Sequence, residues 1–72
     1  MDWNDYCDDD DNVEMAVALD GKVQVHYMES RGNWYGYLYA TSQITVDFNN
    51  YATVAECKAA IEDVARKLGV VA

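Results

Sequence analysis

Apolar side chains alternate with other residues through positions 13–29. Val13, Met15, Val17 and Leu19 are set against Glu14, Ala16 and Ala18, and Val23, Val25 and Tyr27 against Lys22, Gln24 and His26. A period of two marks strands with one buried face, and Asp20-Gly21 between the runs marks a hairpin turn. A two-residue loop at 20–21 sets Val23 opposite Ala18 and Val25 opposite Ala16, mixing the faces. A three-residue loop ending at Gly21 pairs Val17 with Val23 and Met15 with Val25. It keeps the large side chains together, and is the expected register, with a type I turn and Gly21 left-handed.

Residues 29–33 connect to a second hairpin, from Trp34 to Phe48, turning near Thr41-Ser42. An odd loop length puts Trp34, Leu38, Ile44, Val46 and Phe48 on the core face, and Tyr35, Tyr37 and Tyr39 on the other face with Gln43, Thr45 and Asp47. A two-residue loop would bury the tyrosines and expose Trp34 and Leu38. The first arrangement sorts polar from apolar better and is expected.

The spacing predicts a helix over 53–68. Thr53 and Glu56 form a T-x-x-E capping box with Tyr51 as a nearby apolar anchor, and Val54, Cys57, Ile61, Val64 and Leu68 recur at 3-4-3-4 intervals. Arg66 and Lys67 suit the negative end of the helix dipole, and Gly69 terminates it. Ahead of the hairpins, Trp3, Tyr6 and Cys7 at i, i+3 and i+4 share one helical face, so a short docked helix of one or two turns is expected in residues 1–12 rather than a free arm. The expected fold is therefore α+β in one domain, 1–72. It has a short acidic N-terminal helical segment (1–12), a four-stranded antiparallel sheet of two hairpins (13–49), and one C-terminal helix packed on one face. The other face of the sheet stays open, which antiparallel sheets tolerate.

Charge changes the picture. The 72 residues carry thirteen acids and five bases, for −8. Residues 1–12 hold six of those acids, Asp2, Asp5, Asp8, Asp9, Asp10 and Asp11, and no base, so the rest of the chain is nearly neutral. Such a field repels nucleic acid and anionic membranes and favours a basic partner. A plain solubilising role is the alternative. No run of ~18 apolar residues is present, so no membrane helix is expected. The acidic start lacks the basic and apolar regions of a signal peptide, which points to a cytoplasmic protein; a monomer is expected. Cys7 and Cys57 are too few for a disulfide framework and are expected reduced, with Cys57 an inert core residue.

Candidate chemistry is sparse. The single histidine, His26, falls on the polar side of a strand and reads as solvated. Neither cysteine lies in a basic environment in sequence that would lower its pKa. No phosphate-binding or zinc-protease motif occurs. The Asp8–Asn12 run fails as an EF-hand loop, because Val13 and Leu19 stand where Gly and Glu are needed. No enzyme activity, cofactor or metal is expected.

Two features remain, the acids and the tyrosines. Tyrosine supplies contact area at low entropy cost, and surrounding acid steers a basic partner into place. The expected partner-binding set is Asp2, Asp5, Asp8, Asp9, Asp10, Asp11, Glu14, Tyr35, Tyr37, Tyr39 and Asp47. Carboxylates about 5–6 Å apart on a helix face, or about 6.6 Å apart along a strand, match the spacing of DNA phosphates, at ~3.4 Å of axis per strand before winding. In size, charge and element order the whole chain resembles the small acidic anti-CRISPR proteins of phages and mobile elements, several of which are DNA mimics. Inhibitors of type I systems are the nearest in kind. The resemblance implies a cytoplasmic inhibitor, in the host cell if phage-encoded, that occupies the DNA- or PAM-reading subunit of a type I CRISPR effector. It rests on no motif, so no residue role carries over by position. The rival readings are a small acidic adaptor for a protein unrelated to DNA, and an immunity-type inhibitor of a basic nuclease.

Overall fold

The structure is a computed structural model and describes residues 1–70. Strands β1 (Asn4–Cys7), β2 (Val13–Ala18), β3 (Val23–Met28), β4 (Asn33–Tyr39) and β5 (Thr45–Tyr51) form one antiparallel sheet in chain order. Helix α1 (Val54–Lys67) lies across one face, over β3, β4 and β5. The fold is α+β, with five strands rather than four.

The additional strand is the acidic leader. Residues expected to be helical instead pair with β2, Asn4 with Val17, Asp5 with Ala16 and Tyr6 with Met15. Nucleating a helix fixes several residues before the first hydrogen bond forms, and aspartate gives little propensity to offset that. A four-residue strand obtains its hydrogen bonds from the edge of β2 at once. Trp3, just before β1, then packs against the core. Its indole Nε1–H donates to Glu62 Oε1 at 2.8 Å, and Lys58 lies 5.3 Å from the ring centroid while pairing with Asp5 at 2.8 Å. The leader is thus tied to the helix, but as a strand.

The first hairpin takes the register that sequence reasoning set aside. Asp20 (φ 56°) and Gly21 (φ 90°) are both left-handed, and the Lys22 amide donates to Leu19 O at 3.1 Å. Leu19 (φ 52°) is left-handed as well, so the connection between the last pair, Ala18 and Val23, is the four residues 19–22, of the same even parity as a two-residue loop. Ala18 therefore pairs with Val23 and Ala16 with Val25, and all four are buried. Met15 and Val17 go to the opposite face with His26 and Gln24. Ranking side chains by size misassigned β2, because both of its faces are apolar and the turn alone sets the register.

The second hairpin has the expected parity. A loop over residues 40–44 joins Tyr39 to its partner Thr45, so Leu38 faces Val46 and Tyr37 faces Asp47. Thr41 Oγ1 holds the loop by accepting from the amides of Gln43 and Ile44, each at 3.1 Å. Ile44, expected in the core, stands in this loop and is 55% exposed. At the far end the register shifts between Gly36–Phe48 and Trp34–Tyr51. Asn50 takes φ 68° there, and the shift returns Tyr51 to the core side. Met28 pairs with Asn33 across the intervening turn, so the two hairpins form one continuous meander.

Trp34, Leu38 and Phe48 meet Cys57, Ile61 and Ala65 of α1 in the core. Thr53 caps the helix by accepting from the Glu56 amide at 3.2 Å. At its other end Gly69 (φ 73°) donates to Arg66 O and Val70 to Ala65 O, a Schellman closure that uses glycine's freedom at positive φ. The closure puts Leu68 at the C-cap, 53% exposed and out of the core where its spacing had placed it. Ala65 is buried instead.

Both cysteines are free, Cys7 exposed on the edge strand and Cys57 buried. Burial pushes the Cys57 thiol up to about 11. A disulfide reagent at neutral pH is expected to modify Cys7 promptly and Cys57 only after denaturation. Two fast-reacting thiols, or none, in the native protein would contradict this.

Candidate protein interface

The open face of the sheet is built by strand alternation. Direct cross-strand pairs run Tyr6–Met15–His26–Tyr35 in one row across β1 to β4, and Asn4–Val17–Gln24–Tyr37–Asp47 in the next, across all five strands. Tyr39 and Thr45 follow beside them. At strand spacing the first row is about 14 Å wide. No lysine or arginine stands in either row.

Its aromatic rings form a continuous shelf. His26 stacks on Tyr35 with centroids 5.3 Å apart and on Tyr37 at 6.0 Å, both within about 25° of parallel. Tyr37 and Tyr39 meet at 5.1 Å, tilted by 59°. Gln24 fixes the middle of the shelf. Its Oε1 accepts from the Tyr37 hydroxyl at 2.7 Å and lies 3.2 Å from His26 Nε2, while its Nε2 donates to Gly21 O at 3.2 Å. An acceptor at that distance calls for the Nε2–H tautomer of His26. Burial lowers the His26 pKa, so the ring is uncharged at neutral pH. Burial, then the neighbouring Tyr39 and Tyr35, raises that of the Tyr37 hydroxyl, which therefore stays a donor. The histidine expected to be solvated is a half-buried member of the shelf.

The acids lie at one end of this face. In the meander the β1–β2 turn, the β3–β4 turn and the end of β5 share an end of the sheet. Asp8 Oδ1 folds back to accept from the amides of Asp10 and Asn12, each at 2.9 Å, so the aspartate run is a self-capped turn. Asp9, Asp10 and Asp11 are exposed on it. Glu29 opens the β3–β4 turn at the same end.

The β2–β3 ladder ends at Met15–His26, whereas the β3–β4 ladder continues to Met28–Asn33. The strands part there and open a cleft of about 480 Å³ lined by Glu14, Met15, His26, Tyr27, Glu29 and Tyr35. A second cleft of about 350 Å³ shares Glu14, Tyr27 and Glu29 with it and reaches Asp8 and Trp34.

Of the residues singled out by sequence, Tyr35, Tyr37, Tyr39 and Asp47 do share the open face. Asp8, Asp9, Asp10 and Asp11 border its end. Asp2 is exposed near the N-terminus. Asp5 does not join them, because it pairs with the core residue Ala16 and so lies on the helix side, held by Lys58. Glu14 shares the alternation of Ala16 and Ala18, not that of the tyrosines, and rims the cleft rather than the open face. Sequence reasoning missed Tyr6, Met15, Gln24, His26 and Glu29. The Asp20-Gly21 turn was the available signal for Met15, Gln24 and His26, since its even length sets all three on the tyrosine side.

Among the described residues, no group of three His, Cys, Asp or Glu side chains is arranged to hold a metal ion, and no helix is long and apolar enough to cross a membrane. Comparison with family models, with curated proteins and with solved structures gives no match.

Proposed function

We propose that this protein is an acidic inhibitor that binds a basic, DNA-contacting surface of another protein and competes there with DNA, as several of the small acidic anti-CRISPR proteins do. The observation that carries this reading is the coincidence of an aromatic shelf, with no lysine or arginine in its two full rows, with a turn of consecutive aspartates at one end of the same sheet. Three of the five bases are on the helix and already paired, Lys58 with Asp5 and Arg66 and Lys67 with Asp63. The other two, Lys22 and Arg31, stand in the β2–β3 and β3–β4 turns, Arg31 at the acidic end, where Asp8, Asp9, Asp10, Asp11 and Glu29 outnumber it. Acid steers the encounter, and rigid aromatic rings hold the complex once water is excluded. The proposed partner is the DNA- or PAM-reading subunit of a type I CRISPR effector.

The test is a binding competition between this protein and target DNA on a purified type I effector complex. Added protein is expected to lower DNA occupancy in a saturable way. Reversing the exposed Asp9, Asp10 and Asp11 to Lys, with Asp8 kept to hold the turn, is expected to slow association by ~10-fold or more at low salt and to flatten the salt dependence. Tyr37→Ala is expected to act on dissociation instead. If the effector binds protein and target DNA together with neither affinity changed, competition with DNA is excluded, and an acidic adaptor becomes the better account.

A further inference from the structure

We infer that the cleft between β2 and β3 seats an arginine side chain of the protein bound by this face. The inference rests on the reading of the face as the binder of a basic protein, and names the group it takes.

Charge and shape together select that occupant. Glu14 and Glu29 line both clefts, and neither forms an ion pair among the described residues, although the four other ion pairs draw in Asp5, Glu62 and Asp63. No lysine or arginine lines either cleft. A cation entering here meets uncompensated carboxylates rather than displacing an internal partner. Between the acids the larger cleft is lined by Tyr35 and His26, stacked at 22°, and by Tyr27, whose ring meets Trp34 of the adjoining smaller cleft with centroids 5.4 Å apart. The uncharged His26 ring sets no positive charge against the guest. A planar guanidinium stacks on such rings while donating two parallel hydrogen bonds to a carboxylate, which the compact, strongly hydrated ammonium of lysine cannot do. The cleft exists because the β2–β3 ladder stops early, so it is present before any partner arrives.

The test uses the full chain and blocked pentapeptides Gly-Gly-Xaa-Gly-Gly in which Xaa is arginine, lysine or citrulline, followed by amide chemical shifts. The arginine peptide is expected to give saturable shifts centred on Glu14, Met15, His26, Glu29 and Tyr35. The lysine peptide is expected to bind roughly threefold or more weakly, and neutral citrulline, with the same shape, not measurably. The double substitution Glu14→Gln/Glu29→Gln removes two charged acceptors from exposed positions and is expected to weaken arginine binding roughly tenfold or more, with the rest of the spectrum unchanged. Tyr35→Leu, which keeps an apolar side chain but removes the ring, is expected to erase the preference for arginine over lysine.

The inference is overturned by an absence of saturable shifts, by equal response to arginine and lysine, or by shifts centred on Asp9–Asp11, which would mean diffuse attraction only. It is also overturned if the same residues shift with protein concentration alone, showing a second copy in the cleft, or shift with a short oligothymidylate, showing a base on the shelf. No DNA-binding protein takes part, so the result separates from the competition assay. Arginine binding without DNA competition keeps the cleft and discards the inhibitor reading. DNA competition without arginine binding does the reverse.

Discussion

Gly36→Ala is expected to destabilise the protein by ~3 kcal/mol or more, at or beyond the upper end of ordinary overpacking. A methyl group on Gly36 would lie 2.5 Å from the backbone oxygen of Gln24, 3.0 Å from Ile61 Cδ1 and 3.0 Å from Val25 Cγ1. The two side-chain neighbours have ends that rotate aside. The carbonyl does not, because Gln24 is in β3, hydrogen-bonded into the middle of the sheet between β2 and β4. Relief requires β3 and β4 to separate where Val25 pairs with Gly36. A chain of this length has a total stability of about 4–11 kcal/mol, so this one methyl removes a large share. Urea unfolding followed by tryptophan fluorescence measures the loss. Adding Ile61→Val relieves only the side-chain contact and is expected not to restore stability. A Gly36→Ala protein within half a kcal/mol of the parent would show that the strands yield there.

Ile61→Ala is expected to cost ~2–5 kcal/mol, the range for emptying a buried aliphatic position. Ile61 is fully buried on the face of α1 that meets the sheet, beside Cys57 and Ala65, and its Cδ1 reaches the space over Gly36. No large neighbour replaces it, because the adjacent helix positions in the core are a cysteine and an alanine. Leu68→Ala is the internal comparison. Leu68 lies on the same stripe by spacing, yet it is 53% exposed and is expected to change stability by less than ~0.5 kcal/mol. Equal losses at the two positions would mean that the helix is rotated from the orientation described.

Half of the candidate site was legible in the sequence, and the reasons differ by element. The tyrosines of β4 alternate with Trp34, Gly36 and Leu38, and of the two orientations open to that strand the one that sorts polar from apolar residues is the one formed. β2 has no such contrast. Val13, Met15 and Val17 outrank Ala16 and Ala18 in size, yet the alanines are buried, and Met15 and Val17 join the aromatic shelf. Size misleads wherever both faces of a strand meet apolar surroundings. The cleft was invisible for another reason. It depends on where one ladder stops relative to the next, which no local pattern encodes.

The chain's own residues determined the helix with its Thr53 cap and Gly69 terminus, the strand period through 13–48, the tyrosine side of β4 and the concentration of acid before residue 13. These are consequences of short-range chemistry, namely capping, turn geometry and alternation, which operate within a few residues. Only the tertiary structure decided that the leader is a strand, that Asp5 turns to Lys58, that Gly36 rather than a larger residue must lie beneath Ile61, and that His26 is stacked among tyrosines. Each of these turns on a partner distant in sequence. A free sheet edge, an approaching helix or a neighbouring ring supplies free energy that outweighs the few tenths of a kcal/mol by which local propensities differ.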